Sequence, residues 1–305
     1  MSQLSRRSFL QMVGAAGAAS AVTGLLPGSL RRAAAQPEGM IGRIVQVLKG
    51  DVRIHTYTAP PASFLVTSHI IETPNTLVIV DAQFLQTAAR DVLAYAESLG
   101  KPIDRVILSH AHPDHWSGGN IFADVPFVST AAIAQGVQAD IDGGGVAQRA
   151  GLVGESEVPA EPRVPEAGIE AGALTIDGVN FDIQIYDNVE APQQLVVRLP
   201  DHGVVVAQDL VYTNAHFFPG IDRANWISIL EGLRAAGDFD TLLAGHGMPT
   251  SPGELTQAIR YLTVAEAAAA SATSADEVIA ALTTEYPGYE VEGILQFWGL
   301  FIQGS

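Results

Sequence analysis

The chain has 305 residues, and its 33 acidic against 16 basic side chains give a formal net charge of −17. That balance argues against nucleic-acid binding, which needs cations for phosphates, and against docking on anionic lipid. An apolar fraction of 48% excludes general disorder, and the absence of cysteine excludes disulfides, thiolate metal sites and a cysteine nucleophile. Any metal must therefore be held by imidazole and carboxylate.

Ser5-Arg6-Arg7-Ser8-Phe9-Leu10 opens the chain's first recognisable feature. A mildly apolar Ala/Gly/Val run follows from Gln11 to Leu26, ended by Pro27 and Gly28, and Arg31-Arg32-Ala33-Ala34-Ala35 offers an A-x-A cleavage pattern. The run is too short and too rich in Gly and Ala to anchor in a membrane. This stretch resembles a twin-arginine export signal. Residues 1–35 are accordingly expected to be a removable leader, and the mature protein to be periplasmic or secreted. Residues 36–305 are expected to form one domain with a helical extension over about 252–305, without stable membrane insertion.

Segments 42–49, 52–58, 63–71 and 77–81 are rich in Val, Ile, Leu and Thr and broken by Gly, Pro and Asn, which predicts strands. Residues 84–99 place Leu85, Ala88, Ala89, Val92, Leu93, Ala96 and Leu99 at helical spacing before Gly100-Lys101-Pro102 stops them. A short strand at 105–109 runs into a histidine-rich loop, and a strand at 126–129 and a helix at 130–139 follow. From Asp140 to Gly168 periodicity fails, which predicts a long loop acting as a lid. Strands resume at 173–177, 179–186, 194–199 and 203–208, with Asp201-His202-Gly203 as a hairpin turn. A helix at 223–236, a strand at 239–243 and helices at 252–271, 275–284 and 291–302 complete the chain. Two successive halves, each β-rich and then helical, suggest a sandwich of two mixed sheets with helices outside.

The strongest chemical signal is His110-Ala111-His112-Pro113-Asp114-His115. On a tight loop at a strand end, His110 and His112 can aim at one cation, while Asp114 and His115 face a second a few ångströms away. Such ligands suit zinc first, with iron or manganese as alternatives. Three imidazoles and a carboxylate have little other reason to converge.

The pattern resembles the metallo-β-lactamase fold superfamily over residues 42–250, which implies a four-layer αββα sandwich. Val78-Ile-Val-Asp81 is similar to the family's strand ending in a structural Asp beneath the site. Ala207-Gln208-Asp209 resembles its Gly-Asp segment, and Gly245-His246-Gly247 its late G-H-G. The resemblance implies two divalent metal ions. His110 and His112 would bind the first, Asp114, His115 and His246 the second, with Asp209 between them. The family's usual third histidine is missing; Glu190, in Glu190-Ala191-Pro192, falls in its place. That turn resembles the alkylsulfatase branch, where a Glu binds the first metal, so Glu190 is taken as a ligand.

The implied machine is a hydrolase using a metal-bridged hydroxide on a small-molecule substrate, with Asp114 or Asp209 taking the proton. Tyr212 resembles an oxyanion-steadying tyrosine of lactonases, although a buried core position is equally open. With Phe217-Phe218 and Trp226 as an apolar wall, a lactone or carboxylic ester is expected ahead of an alkyl sulfate. A non-catalytic metal scaffold is the third alternative. Among the other histidines, His202 is assigned to the surface and His55 and His69 to the core, while His216 can lie in either pocket or core. Trp116 is expected to pack under the metal loop. The oligomeric state stays open.

Overall fold

The computed structural model describes residues 31–33, 37–217 and 219–297. Its strands form two sheets. The larger orders β1 (Arg31–Ala33), β2 (Arg43–Lys49), β3 (Val52–Thr58), β4 (Thr67–Glu72), β5 (Leu77–Val80), β6 (Ile103–Ile107), β7 (Phe127–Ser129) and β8 (Glu166–Ala167) edge to edge. It is antiparallel up to β5 and parallel from β5 to β8. The smaller orders β13 (Thr241–His246), β12 (Val204–Tyr212), β11 (Gln193–Leu199), β10 (Val179–Asp187) and β9 (Gly172–Ile176), with only β12 and β13 parallel.

Alternation along the strands builds the layers, because successive side chains leave a strand on opposite faces. Leu195, Val197, Val204, Val206 and Leu243 enter one core together with Ile54, Ile70 and Val80 of the first sheet. Their neighbours Val196, Val205, Leu242 and Ala244 enter a second core. Helix α1 (Gln86–Ser98) closes the first core through Ala88, Ala89, Val92, Tyr95 and Ala96, a three-and-four spacing that keeps one face inward. Helices α5 (Arg223–Ala236), α6 (Gly253–Ser271) and α7 (Ala275–Glu285) close the second through Trp226, Leu230, Tyr261, Leu262, Val278 and Leu282. The expected αββα sandwich is thus present. Side-chain caps start α5 and α7: Asp222 accepts from the Asn225 amide and Ser274 from the Glu277 amide.

Two expectations need correction. The stretch 140–168 is not a featureless loop. Helix α3 (Ala131–Asp142) reaches into it, and α4 (Gly145–Val153) and β8 lie within it. Arg149 holds α4 down by a two-pronged contact with Asp140 and stacks 5.0 Å from the Trp116 ring centroid. Val146, Leu152 and Val153 of the same helix pack against hydrophobic clusters beside it. The helix expected over 291–302 is a 3-10 turn, Glu292–Phe297, as far as the described residues extend. The hairpin turn expected at Asp201 is present between the antiparallel β11 and β12, wound as a 3-10 turn, Pro200–His202, and closed by Gly203 in the left-handed region at φ 61°.

Most of the leader assigned to residues 1–35 lies outside the described residues; its Arg31–Ala33 pairs with β2. No described helix is long and apolar enough to cross a membrane.

Candidate metal centre

Five strand ends deliver the site to one edge of the sandwich. Asp81 follows β5, Ser109 and His110 follow β6, Glu190 lies in the turn before β11, and Asp209 and His246 come from β12 and β13. The loop after β6 turns sharply because Pro113 opens the short helix α2 (Pro113–Trp116), which carries Asp114 and His115. An antiparallel bridge between His110 and Gln194 ties this loop to the second sheet.

The two glycines around His246 are required by space. A Cβ on Gly245 would lie 1.8 Å from Asp209 Oδ1, and Gly247 has φ +98° with its Cβ position 2.4 Å from the Thr213 carbonyl. Only glycine lets β13 pass this close to Asp209.

All seven expected ligands converge. His110, His112, Glu190 and Asp209 offer one group of donor atoms, and Asp114, His115 and His246 another, each within 4.8 Å of one another. Asp209 faces both groups, with Oδ2 3.6 Å from His110 Nε2 and 3.3 Å from His246 Nε2, and Oδ1 3.1 Å from His115 Nε2. Glu190 lies 3.0 Å from His112 Nδ1 and 3.7 Å from His110 Nε2, so it does not point to solvent. His246 Nε2 is 3.3 Å from Asp114 Oδ2. Only His112 and Asp114 reach solvent, with side chains 36% and 18% exposed.

Whether these residues fit a cation is decided by their leftover valences. His110 Nε2, His115 Nε2, His246 Nε2, Glu190 Oε2 and Asp209 Oδ1 are buried without a properly aligned hydrogen bond. Leaving such atoms unpaired in a native interior is costly, and their convergence is what a metal-ion site requires. Behind them the histidines are tied from the other side. His115 Nδ1 donates to Asp81 Oδ2 at 2.7 Å, His246 Nδ1 donates to the Phe64 carbonyl at 2.7 Å, and His110 Nδ1 faces Ser109 Oγ at 2.8 Å. Partners on the far nitrogen fix the tautomer that leaves Nε2 free. The residues present therefore fit divalent cations.

Electrostatics agree. Burial opposes charge on His112 and His246, yet Glu190 beside the first and Asp209 beside the second override it, raising them to about 9 and about 10. His115 is likewise raised well above the ordinary imidazole range, while burial and the neighbouring His115 hold His110 well below it. Without metal, protons balance the carboxylates.

Tyr212 is 3% exposed, sandwiched between His246 and Phe217 at centroid distances of 4.7 and 4.6 Å, and donates to Asp209 Oδ2 at 2.6 Å. Its hydroxyl positions Asp209. Phe217 and Trp226 are buried in the second core and form no wall; Phe218 lies outside the described residues. His216 is also core, 3.1 Å from the Tyr261 hydroxyl and held to about 4 by burial. His55 bonds Tyr95 and Glu72, His69 bonds Thr56 and Gln208, and His202 meets Asp51 near the surface. Trp116 packs beneath the metal loop and donates to the Ala111 carbonyl. Sequence reasoning missed Ser109, Gln208 and the Phe64 carbonyl. The first two directly precede ligands, which is the only signal they carried.

The family model of the metallo-β-lactamase superfamily matches residues 63–246. Among curated relatives, the linear primary-alkylsulfatase of a Pseudomonas species is 26% identical over 233 residues, covering 64% of this chain and 44% of that protein. The alkyl/aryl-sulfatase of Saccharomyces cerevisiae is 25% identical over 227 residues, covering 60% and 34%. The chain thus spans less than half the length of either. Similar solved structures include the metallo-β-lactamase from Pontibacter korlensis, with TM-score 0.57 at 18% identity over 73% of this chain and 99% of that one. The metallo-β-lactamase FIM-1 from Pseudomonas aeruginosa in its mono-zinc form gives 0.54 at 14% identity, covering 75% and 98%. At such identities these two likenesses speak for the fold.

Proposed function

Because the chain belongs to the metallo-β-lactamase superfamily, we propose that it is a dinuclear metal-dependent hydrolase acting on alkyl sulfate esters. The observation that carries this reading is Glu190, buried against His110 and His112 where the superfamily usually has a histidine. The two alkylsulfatase relatives support it. The carbonyl-ester preference expected from the sequence loses its footing, since Tyr212 is committed to Asp209 and Phe217 and Trp226 are core.

His110, His112, Glu190 and Asp209 would hold one cation, and Asp114, His115, His246 and Asp209 the other, zinc being the first choice. When bound, such cations supply Lewis acidity and make water a nucleophile at neutral pH. The chain's own share is charge and position. Asp114, Glu190 and Asp209 neutralise most of the charge of two dications, which suits a singly charged sulfate ester and disfavours a phosphate dianion. The net charge of −17 adds long-range repulsion against dianions. Asp114, the most exposed of these carboxylates, would take the proton. Tyr212 and Asp81 keep Asp209 and His115 aimed.

The test compares kcat/KM of zinc-loaded protein on a long-chain alkyl sulfate, a γ-lactone, a p-nitrophenyl ester and p-nitrophenyl phosphate. Alkyl sulfate turnover ahead of the others, abolished by chelator, is expected. Dominant lactone or ester turnover overturns the substrate assignment, and metal uptake without any turnover leaves a binding scaffold. We also propose that Arg6 and Arg7 direct twin-arginine export to the periplasm. Changing both to Lys should leave the protein in the cytoplasm, and unchanged export would refute it.

A further inference from the structure

Gln208 occupies a position where glycine is at home. Its φ is +45°, and the β12 register against β13 shifts on both sides of it, so it sits in a bulge. Bulges re-aim side chains beside active sites, and their left-handed residue is commonly glycine. A glutamine here bears steric strain. Yet it is fully buried with both ends of its amide engaged.

The direction of each hydrogen bond in its surroundings is determined. His69 Nε2 lies 3.1 Å from the Ala244 carbonyl, which can only accept, so Nε2 carries the proton. Thr56 Oγ1, 2.9 Å away, then donates to His69 Nδ1. The Gln208 atom 3.1 Å from His69 Nε2 must be the amide oxygen, which turns the amide nitrogen onto Asp81 Oδ2. Asp81 also accepts from the Ser109 amide and hydroxyl, each at 2.7 Å. Surrounded by donors, it acts as a carboxylate acceptor only. It therefore receives the proton of His115 Nδ1, and Ser109 Oγ, having donated to Asp81, receives that of His110 Nδ1. In the neutral rings that a metal would bind, both Nε2 lone pairs face the centre.

We propose that Gln208 is a positioning residue that relays the orientation of buried His69 to Asp81 and so pre-orients two ligands, His110 and His115. The relay begins at a fixed backbone carbonyl and ends on ligands of both proposed metal ions. It gives a strained glutamine a function where glycine would be easier. The inference rests on the cluster being a metal centre and not on the substrate.

The test uses the full chain and zinc alone, with affinity read by competition against a chromophoric chelator. Gln208→Met keeps the length and removes both amide bonds; Gln208→Gly also relieves the backbone. Each folded variant should bind zinc about 10- to 100-fold more weakly, the usual cost of losing an outer partner of a metal ligand. Wild-type affinity in either folded variant overturns the proposal. If neither folds, nitrogen-15 NMR of the imidazoles in the zinc-loaded wild-type protein decides. The relay requires His69 protonated at Nε2, and His110 and His115 at Nδ1; the opposite tautomer at any of the three overturns it. A wild-type protein that binds no zinc would refute the metal centre itself, a separate and visible failure.

Discussion

Two populations of buried histidine coexist in this protein. His55 and His69 have both ring nitrogens bonded within the fold, to Tyr95 and Glu72 in one case and to Thr56 and a set around Gln208 in the other. His110, His115 and His246 are equally buried, but each has one nitrogen tied back and the other left without an aligned partner, facing a common centre. Burial alone does not separate structural from ligating imidazoles. The leftover valence does, because an interior supplies partners wherever folding is the only requirement.

The sharpest way to break this contrast is to exchange substitutions between the two sets. His115→Ala should remove metal and lower turnover about 10²–10³-fold or more, the scale of losing a charge stabiliser at the reacting bond. His55→Gln should instead lower stability by about 1–3 kcal/mol through its buried Glu72 and Tyr95 partners while metal content stays unchanged. Metal loss in the His55 variant, seen by elemental analysis, would dissolve the distinction.

Glu190 refines the contrast within the ligating set. Glu190→Gln keeps the shape and removes the charge, and should lose about one metal equivalent with most of the activity. Glu190→His should recover part of the binding, because imidazole is the alternative ligand at this position. Unchanged stoichiometry in the Gln variant would remove Glu190 from the site.

Acidity provides the next test. In the metal-free protein His112 and His246 are raised to about 9 and about 10, since neighbouring carboxylates outweigh burial. A raised imidazole contributes stability that is complete below its unfolded value and lost as pH passes the folded one. Metal-free protein should therefore lose thermal stability progressively as pH climbs from about 6.5 to about 10. Zinc competes with those protons, so its affinity should rise over the same range. Calorimetry of the two forms checks the opposite slopes; parallel curves would contradict them.

The smallest effect is expected at Arg149, which belongs to neither histidine set. Arg149→Ala should free α4 from Asp140 and Trp116, costing about 1–3 kcal/mol and opening residues 145–153 to protease. Metal content should not change. Equal protease resistance would show that α4 is held by other contacts.

How much of this was legible in the sequence depended on how locally each feature is encoded. H-x-H-x-D-H packs four ligands into six residues, so its chemistry was readable without a fold. Asp209, Glu190 and His246 lie far apart in the chain and emerged only through resemblance, since nothing local distinguishes them. Helix α4 was missed because its short apolar set, Val146, Leu152 and Val153, is interrupted by glycines and by the buried Arg149. The burial of Tyr212 and His216 could not be read either. The first depends on the β12 bulge, and the second on the backbone pairing of Ala215 with Glu290 some seventy residues later. Gln208 was hidden for the same reason: its role appears only once the sheet carrying β4 and β5 is packed on the sheet carrying β12.

The central claim is that the unsatisfied atoms of His110, His115, His246, Glu190 and Asp209 mark a metal centre. The most direct measurement is elemental analysis of the full chain after equilibration with zinc and removal of excess, alongside His115→Ala. The account predicts about two zinc ions per wild-type chain and a clear loss in the variant. A folded wild-type protein that retains no zinc, or a variant that retains as much as the wild type, would contradict it.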